Sequence, residues 1–274
     1  MRLFLMHTMK LLAIMLLFSS CASLSGMGVG RVKRYTIESD RLPASFDGAL
    51  VAFISDLHYP SLFTAKRLQK LVRKVRKLSP DVLMMGGDYT ACEDSLDALF
   101  SPFSSLEIPC GTYAVAGNHD KRRAAAVAAS MERAGITLLA DSCVLLAKDG
   151  AQLCVAGVGN SMKVEEGTLA MLSALPDSLF TILLAHAPDF AQDARVAVDL
   201  VLSGHTHGGQ VSLFRLYTPV KNTKYGTRFL TGLNHTDKGV PVITTNGVGT
   251  SRRKLRFCAP SEIVLVCLRK SRRK

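Results

Sequence analysis

Five apolar runs in this chain stop in the same way, on Asp, Asn or His, and that repetition constrains the fold more than any other feature. "ALVAFISDLH" ends in Asp56-Leu57-His58, "DVLMMGGDY" in Gly87-Asp88, and "TYAVAGNHD" in Gly117-Asn118-His119-Asp120. "FTILLAHAP" carries His186 near its end, and "VDLVLSGHTH" ends in Gly204-His205-Thr206-His207. Residues two apart on a strand point to the same side, so Asp56 with His58, and His205 with His207, can each face one point. A lone Asp after a strand is ordinarily a helix cap, and a lone His a satisfied core or surface residue. Neither His186 nor Asn118 stands out alone; the ordered set does. Asp, Asn and His are oxygen and nitrogen donors that suit Mn, Fe or Zn, and no cysteine competes at these positions. His7 and His235 have no such setting and read as ordinary residues.

Between these runs the apolar period changes. In "TAKRLQKLVRKVRKL", Leu68, Leu71, Val72, Val75 and Leu78 recur at helical spacing. Residues 91–105 and the alanine-rich residues 122–134 also read as helices. Strand, helix, strand, helix implies parallel pairing through right-handed crossovers. The second half adds the strand-like runs "VLLAK", "QLCVAGVG", "VPVITTNGVG" and "EIVLVCL", with helices near 167–174 and after Pro188. In sheets of this kind ligands bind beyond the carboxyl ends of the strands, which is where the polar clusters fall. With 274 residues, 48% hydrophobic and 20% charged, the chain has material for one large α/β domain, placed at residues 32–268.

The N-terminus differs from the rest. "MKLLAIMLLFSSC" starts with Lys10, runs apolar from Leu11 to Phe18, and ends in small residues and Cys21. That run is short for a membrane span and fits the h-region of a signal peptide. "FSSC" reads as a loose lipobox with Cys21 as the lipidated residue, although Phe18 stands where leucine is usual. An uncleaved anchor is the alternative, and Met9 competes with Met1 as the start. Residues 1–20 are thus a signal peptide or anchor, residues 21–31 a linker, and residues 269–274 a basic tail. Either reading of the N-terminus places the protein at a membrane.

Lys and Arg number 34 against 22 Asp and Glu, a formal charge of +12, which favours anionic partners. Removing residues 1–20 takes away Arg2 and Lys10 and leaves 12 − 2 = +10. No nucleic-acid-binding motif is present, so phosphorylated substrates or an acidic membrane are the expected partners. Besides Cys21, the cysteines are Cys92, Cys110, Cys143, Cys154, Cys258 and Cys267, with no CxxC pair. They read as free thiols, those beside strands as buried ones, since a domain of this size does not need a disulfide framework.

D-x-H, G-D, G-N-H-D, a lone His and G-H-x-H, in that order over residues 50 to 210, resemble the calcineurin-like metallophosphoesterase superfamily. "GHTHGGQ" and "GVGTSRRKLRF" are similar to a bacterial membrane-associated branch, and some enzymes similar to it hydrolyse UDP-2,3-diacylglucosamine in lipid A synthesis. The resemblance implies a four-layer α/β/β/α sandwich with a dinuclear metal site at the strand ends. It makes Asp56, His58 and His207 ligands of one divalent metal, Asn118, His186 and His205 ligands of the second, and Asp88 the bridge. Mn²⁺ is the first choice, with Fe or Zn as alternatives. His119 is then expected to face substrate and protonate the leaving oxygen, with Asp120 fixing its tautomer. Gly208 and Gly209 are expected to turn the chain away and leave space for substrate. "CAPSEI" departs from the branch by carrying Ser261 before Glu262, outside the ligand set.

The implied activity is hydrolysis of a phosphodiester or pyrophosphate bond of a lipid- or nucleotide-linked substrate. The alternatives are a soluble phosphoester substrate, or a non-catalytic scaffold, which the complete ligand set disfavours. Lys66, Arg67, Lys70, Arg73, Lys74, Arg76 and Lys77 form a basic face on the helix at 64–78, ordinarily a solvated one but also able to rest on anionic headgroups. Arg252, Arg253, Lys254 and Arg256 are expected near substrate phosphate.

Overall fold

The computed structural model describes residues 28–61, 63–90, 92–212 and 218–271. The signal-peptide segment, Cys21, most of the linker and the last three tail residues lie outside the described residues. Among those described, no helix is long and apolar enough to cross a membrane.

Alternation within continuous apolar runs sets the layering. In β2 (Leu50–Ile54), Val51 and Phe53 enter one core while Ala52 and Ile54 enter another. β3 (Val82–Met85) divides identically, Val82 and Met84 to the first core, Leu83 and Met85 to the second. A strand that is apolar on both faces must be covered on both. The first sheet runs β1 (Arg31–Ser39), β12 (Glu262–Lys270), β2, β3, β4 (Thr112–Ala114), β5 (Ile136–Leu138). Its strands β2 to β5 are mutually parallel, as the sequence implied; β12 is antiparallel to β2 and parallel to β1. The second sheet runs β10 (Gly232–His235), β11 (Pro241–Thr244), β9 (Leu200–Ser203), β8 (Thr181–Leu184), β7 (Ala151–Gly157), β6 (Ser142–Lys148). Here β7, β8, β9 and β11 are parallel, flanked by antiparallel edges.

The core that holds Phe53 and Met84 also holds Val155, Ile182, Leu184, Leu200, Leu202 and Ile243, so it lies between the sheets. On the outer face of the first sheet pack α1 (Ala65–Leu78), α2 (Leu96–Phe100) and α3 (Ala124–Arg133), through Leu68, Leu71, Phe100 and Met131 among others. α4 (Glu166–Ser173) and α5 (Asp189–Asp193) cover the second sheet, α5 through Phe190 and Ala191. The result is the expected four-layer α/β/β/α sandwich.

Several local expectations are corrected. The helix expected over 91–105 is broken into a 3-10 turn at Glu93–Ser95, α2, and a second 3-10 turn at Ser101–Ser105. Pro102 in that second turn has no amide hydrogen to continue a helix. β12 continues through Arg269 and Lys270, which had been assigned to the tail. Cys154 is a buried free thiol, but Cys143 is an exposed one, because it shares the solvent-facing side of β6 with Leu145 and Ala147. Nor is the basic face of α1 simply solvated. The Arg67 guanidinium stacks 4.4 Å from the Phe63 ring and donates to the carbonyls of Gly28 (2.6 Å) and Val248 (3.2 Å). Lys74 donates to the Gly30 carbonyl. These two cations pin the incoming chain against the domain.

Candidate dinuclear metal centre

Because β2, β3 and β4 are parallel, as are β8 and β9, their carboxyl ends deliver side chains to one side of the sandwich. The chain turns abruptly as it leaves them. Asp56, His58, Asp88, His205 and His207 all have positive φ, between 51° and 69°. Non-glycine residues in that region cost about 1–3 kcal/mol each and persist only where the surroundings enforce them. Such strain is expected at a working site.

The residues form two groups. Asp56, His58 and His207 each present a donor atom within 4.8 Å of the others, and so do Asp88, His186 and His205. In the first group His207 Nε2 lies 3.4 Å from Asp56 Oδ1 and 3.2 Å from His58 Nε2. In the second, His186 Nε2 lies 3.5 Å from Asp88 Oδ2, and the His205 ring stands 5.0 Å from the His186 ring. Asn118 Oδ1 approaches His186 Nε2 at 3.2 Å and so belongs with the second group. Asp88 Oδ2 is also 3.7 Å from His58 Nε2, so one carboxylate oxygen stands within reach of both groups. All seven residues named from the sequence as metal ligands therefore converge.

Their surroundings orient them. The Gly86 carbonyl, 2.6 Å from His186 Nδ1, can only accept, which fixes the hydrogen on Nδ1 and aims Nε2 at Asp88. The amide of His205 donates to Asp56 Oδ2 at 3.1 Å. Burial pushes the Asp56 carboxyl up to about 6. Burial lowers His58 and His205 to about 4 and His207 well below its ordinary value, so these imidazoles are neutral with lone pairs available. His186 is the exception: burial opposes its charge, but the adjacent Asp88 carboxylate outweighs it and raises His186 to about 10. Burial would likewise raise Asp88, yet the His186 charge and hydrogen bond hold it well below the usual carboxylate range. Buried carboxylates facing three neutral imidazoles and His186, which gives up its proton when it binds a cation, with Asn118 beside them, are a donor set that fits two divalent transition metals.

His119 is half exposed and lies at the mouth. Its amide donates to Asp88 Oδ1 at 2.9 Å, its Nε2 is 3.9 Å from Asp88 Oδ2, and its ring meets the His58 ring edge-on at 5.2 Å. Asp120 does not have the role expected from sequence. Its carboxylate, fully buried, is taken up by backbone amides: Asp88 N at 2.7 Å and Gly117 N at 2.8 Å on Oδ2, and Tyr89 N at 2.9 Å on Oδ1. Side chains of adjacent residues leaving a strand diverge, and Asp120 turns inward while His119 turns out. Asp120 positions the Asp88 loop.

Two further expectations change. Arg256 does not face substrate: it is fully buried, unlike its exposed neighbours Arg252, Arg253 and Lys254. It donates to the carbonyls of Gly249 (3.0 Å from Nε), Ala259 (2.9 Å) and Asn246 (2.5 Å) within its own β11–β12 connection and to that of His207 (3.0 Å), tying that connection to the His207 turn. No pattern in "RRKLR" sets it apart from its exposed neighbours, and its His207 partner is distant in sequence. Gly208 and Gly209 do let the chain turn, with φ of 61° and 74°. The space beside them is not left for substrate, however. A side chain at Gly208 would overlap Asn246, and one at Gly209 would overlap Thr218.

The comparisons with known proteins agree with this geometry. The family model described as calcineurin-like phosphoesterase matches residues 49–209, which span β2 through the turn after His207. The chain is 31% identical over 242 residues to the uncharacterised metallophosphoesterase YkuE of Bacillus subtilis, covering 86% of this chain and 84% of that one. It is 30% identical over 247 residues to an uncharacterised metallophosphoesterase of Aquifex aeolicus, covering 87% and 92%. Phosphodiesterase YaeI of Escherichia coli is 29% identical over 227 residues, covering 78% and 80%. With that match across the ligand-bearing strands, the chain belongs to the calcineurin-like phosphoesterases and is a metal-dependent phosphoester hydrolase.

Proposed function

We propose that the protein hydrolyses a phosphodiester or pyrophosphate bond of a lipid- or nucleotide-linked substrate at a membrane, with UDP-2,3-diacylglucosamine as the leading candidate. The observation that carries the reading is Asp88 Oδ2, which stands between His58 and His186 and is shared by the two donor groups. Asp56, His58 and His207 would hold one metal, Asn118, His186 and His205 the other, and Asp88 both. A bound pair of divalent metals supplies hydroxide near neutral pH and neutralises charge on a phosphoryl group. His119, exposed beside this cluster, would give a proton to the leaving oxygen. Asp120 holds Asp88 by its amide, and Arg256 holds the His207 turn from behind. The name phosphodiesterase carried by the Escherichia coli relative supports a diester over a monoester. The apolar N-terminal run and the net charge of +12 support a membrane-bound, anionic substrate.

The test is to incubate Mn²⁺-loaded and chelator-treated protein with UDP-2,3-diacylglucosamine, bis(p-nitrophenyl) phosphate and p-nitrophenyl phosphate. Metal-dependent release of UMP and the acylated sugar phosphate is expected, with the diester preferred over the monoester. Equal activity without metal, or activity on the monoester alone, would overturn the reading.

A further inference from the structure

The loops that frame the metal centre carry an apolar surface. Among the described residues eight large hydrophobics are exposed, and five of them, Met162, Val164, Val211, Val220 and Leu255, lie on loops that leave strand ends at this site. The loop of Met162 and Val164 is fixed there by Lys121 Nζ, which donates to Asn160, and by Ser161 Oγ, which accepts the amide of Ala187 beside His186 at 2.8 Å. Val211 follows the His207 turn and pairs with Phe257. Gln210 bonds the backbone of Ser251 and Arg253, which brings Leu255 to the same rim. The carbonyl of Val220 packs beside Gly209.

Charge accompanies these side chains. Lys163, Lys221, Arg252, Arg253 and Lys254 are exposed between and beside them. From Leu200 to Thr236, and again from Lys238 to Ser261, the sequence contains no Asp or Glu. Among the described residues the exposed large apolar ones are all aliphatic or Met, with no aromatic side chain among them on which a base could stack. Aliphatic side chains interleaved with Lys and Arg match a bilayer surface, where the first enter the acyl boundary and the second meet anionic headgroups.

The place where the described chain begins points the same way. Arg67 joins the carbonyl of Gly28 to that of Val248, and the Val248 amide donates to Ser55, next to Asp56. Gly28 thus lies at the end of the sandwich that holds the site. Only residues 19–27 separate it from the apolar run Leu11–Phe18.

We infer that the rim formed by Met162, Val164, Val211, Val220 and Leu255, with Lys221 and Arg252–Lys254, docks on an anionic lipid bilayer and holds the mouth of the metal centre against it. This deepens, and rests on, the membrane reading proposed above.

The chain contains no tryptophan, so a single introduced one reports its own surroundings without background. Full-length Leu255→Trp, Val220→Trp and Leu145→Trp would each be mixed with vesicles of phosphatidylcholine and brominated phosphatidylglycerol, Leu145 being exposed on edge strand β6 away from the rim loops. Loss of fluorescence is expected for Leu255→Trp and Val220→Trp and not for Leu145→Trp. Reversing the charge of Arg252, Arg253 and Lys254 to Glu in the Leu255→Trp chain is expected to restore the fluorescence. Absence of quenching at both rim positions, equal quenching at all three, or insensitivity to charge reversal would overturn the inference. So would an equal spectral shift on adding duplex DNA in place of vesicles. Hydrolysis of bis(p-nitrophenyl) phosphate, measured on the three tryptophan variants with their native charges, is expected to persist, so failure of docking is read separately from failure of the metal chemistry.

Discussion

Asp120 Oδ2 accepts the amide hydrogen of Asp88 at 2.7 Å and that of Gly117 at 2.8 Å, so one buried carboxylate joins the ends of β3 and β4 beneath the candidate metal centre. Burial and the nearby Asp88 charge push its carboxyl up to about 6, against the pull of the amides. Asp120→Asn would turn either an NH₂ group or a single acceptor toward three amide donors. Leaving buried donors unmet costs about 1–3 kcal/mol. The expected outcome is a lowered Tm and loss of metal, measured as metal content per chain. A variant that keeps both metals but loses activity only at high pH would instead restore Asp120 to a role beside His119.

His119→Ala should behave oppositely. The side chain is half exposed and is not needed to complete either donor group. Both metals should stay bound, while kcat falls by about 10²–10⁴, the usual contribution of a general acid. The fall should be smallest for nitrophenolate and largest for alkoxide leaving groups, because only the latter need a proton. Equal slowing of all leaving groups would show that His119 does not deliver one.

Metal uptake should be tied to pH through His186. In the metal-free protein Asp88 keeps His186 protonated up to about pH 10, whereas His58 and His205 are neutral above about pH 4. Filling the second group therefore expels a proton near neutral pH, and its affinity should rise about tenfold per pH unit below 10. Asp56, raised to about 6, makes the first group pH-dependent only below that value. Calorimetric titration with Mn²⁺ in buffers of different ionisation heat measures the release. Heats that do not vary with buffer would contradict the assignment.

Arg256→Lys is not a conservative change here. A lysine ammonium cannot serve the carbonyls of Gly249, His207, Ala259 and Asn246 from one position, as the planar guanidinium does. We expect loss of the first metal, that of Asp56, His58 and His207, with a clear fall in Tm. By contrast Arg253→Lys, on the exposed side of the same run, should leave both unchanged.

The residues that converge at the candidate metal centre were legible in the sequence because each closes an apolar run, and the strand's own alternation aims Asp56 with His58. The sandwich was legible for the same reason: Val51, Phe53 and their neighbours are apolar on both faces, which demands cover on both. What stayed hidden depends on contacts between distant segments. One of the carbonyls around Arg256 comes from the distant His207 turn, and two of the three amides around Asp120 come from the end of β3. The left-handed backbone at Asp56, His58 and His205 carries no residue signature, since these are not glycines. β1 was missed because only Ile37 among its residues is buried, so it shows no apolar alternation.

β1 has consequences for the order in which the protein can assemble. Its single neighbour in the sheet is β12, paired residue for residue from Arg31 with Glu262 to Ser39 with Lys270. During synthesis β1, the first of the described strands, therefore has no partner in the sheet until β12, the last of them, has been made. β2 meets β3 early, but the strand between β1 and β2 arrives last. Long-range closure of this kind slows folding and leaves strand edges open meanwhile. A ribosome stalled before β12 holds a chain whose candidate ligands have all been made while β1 still waits for its neighbour.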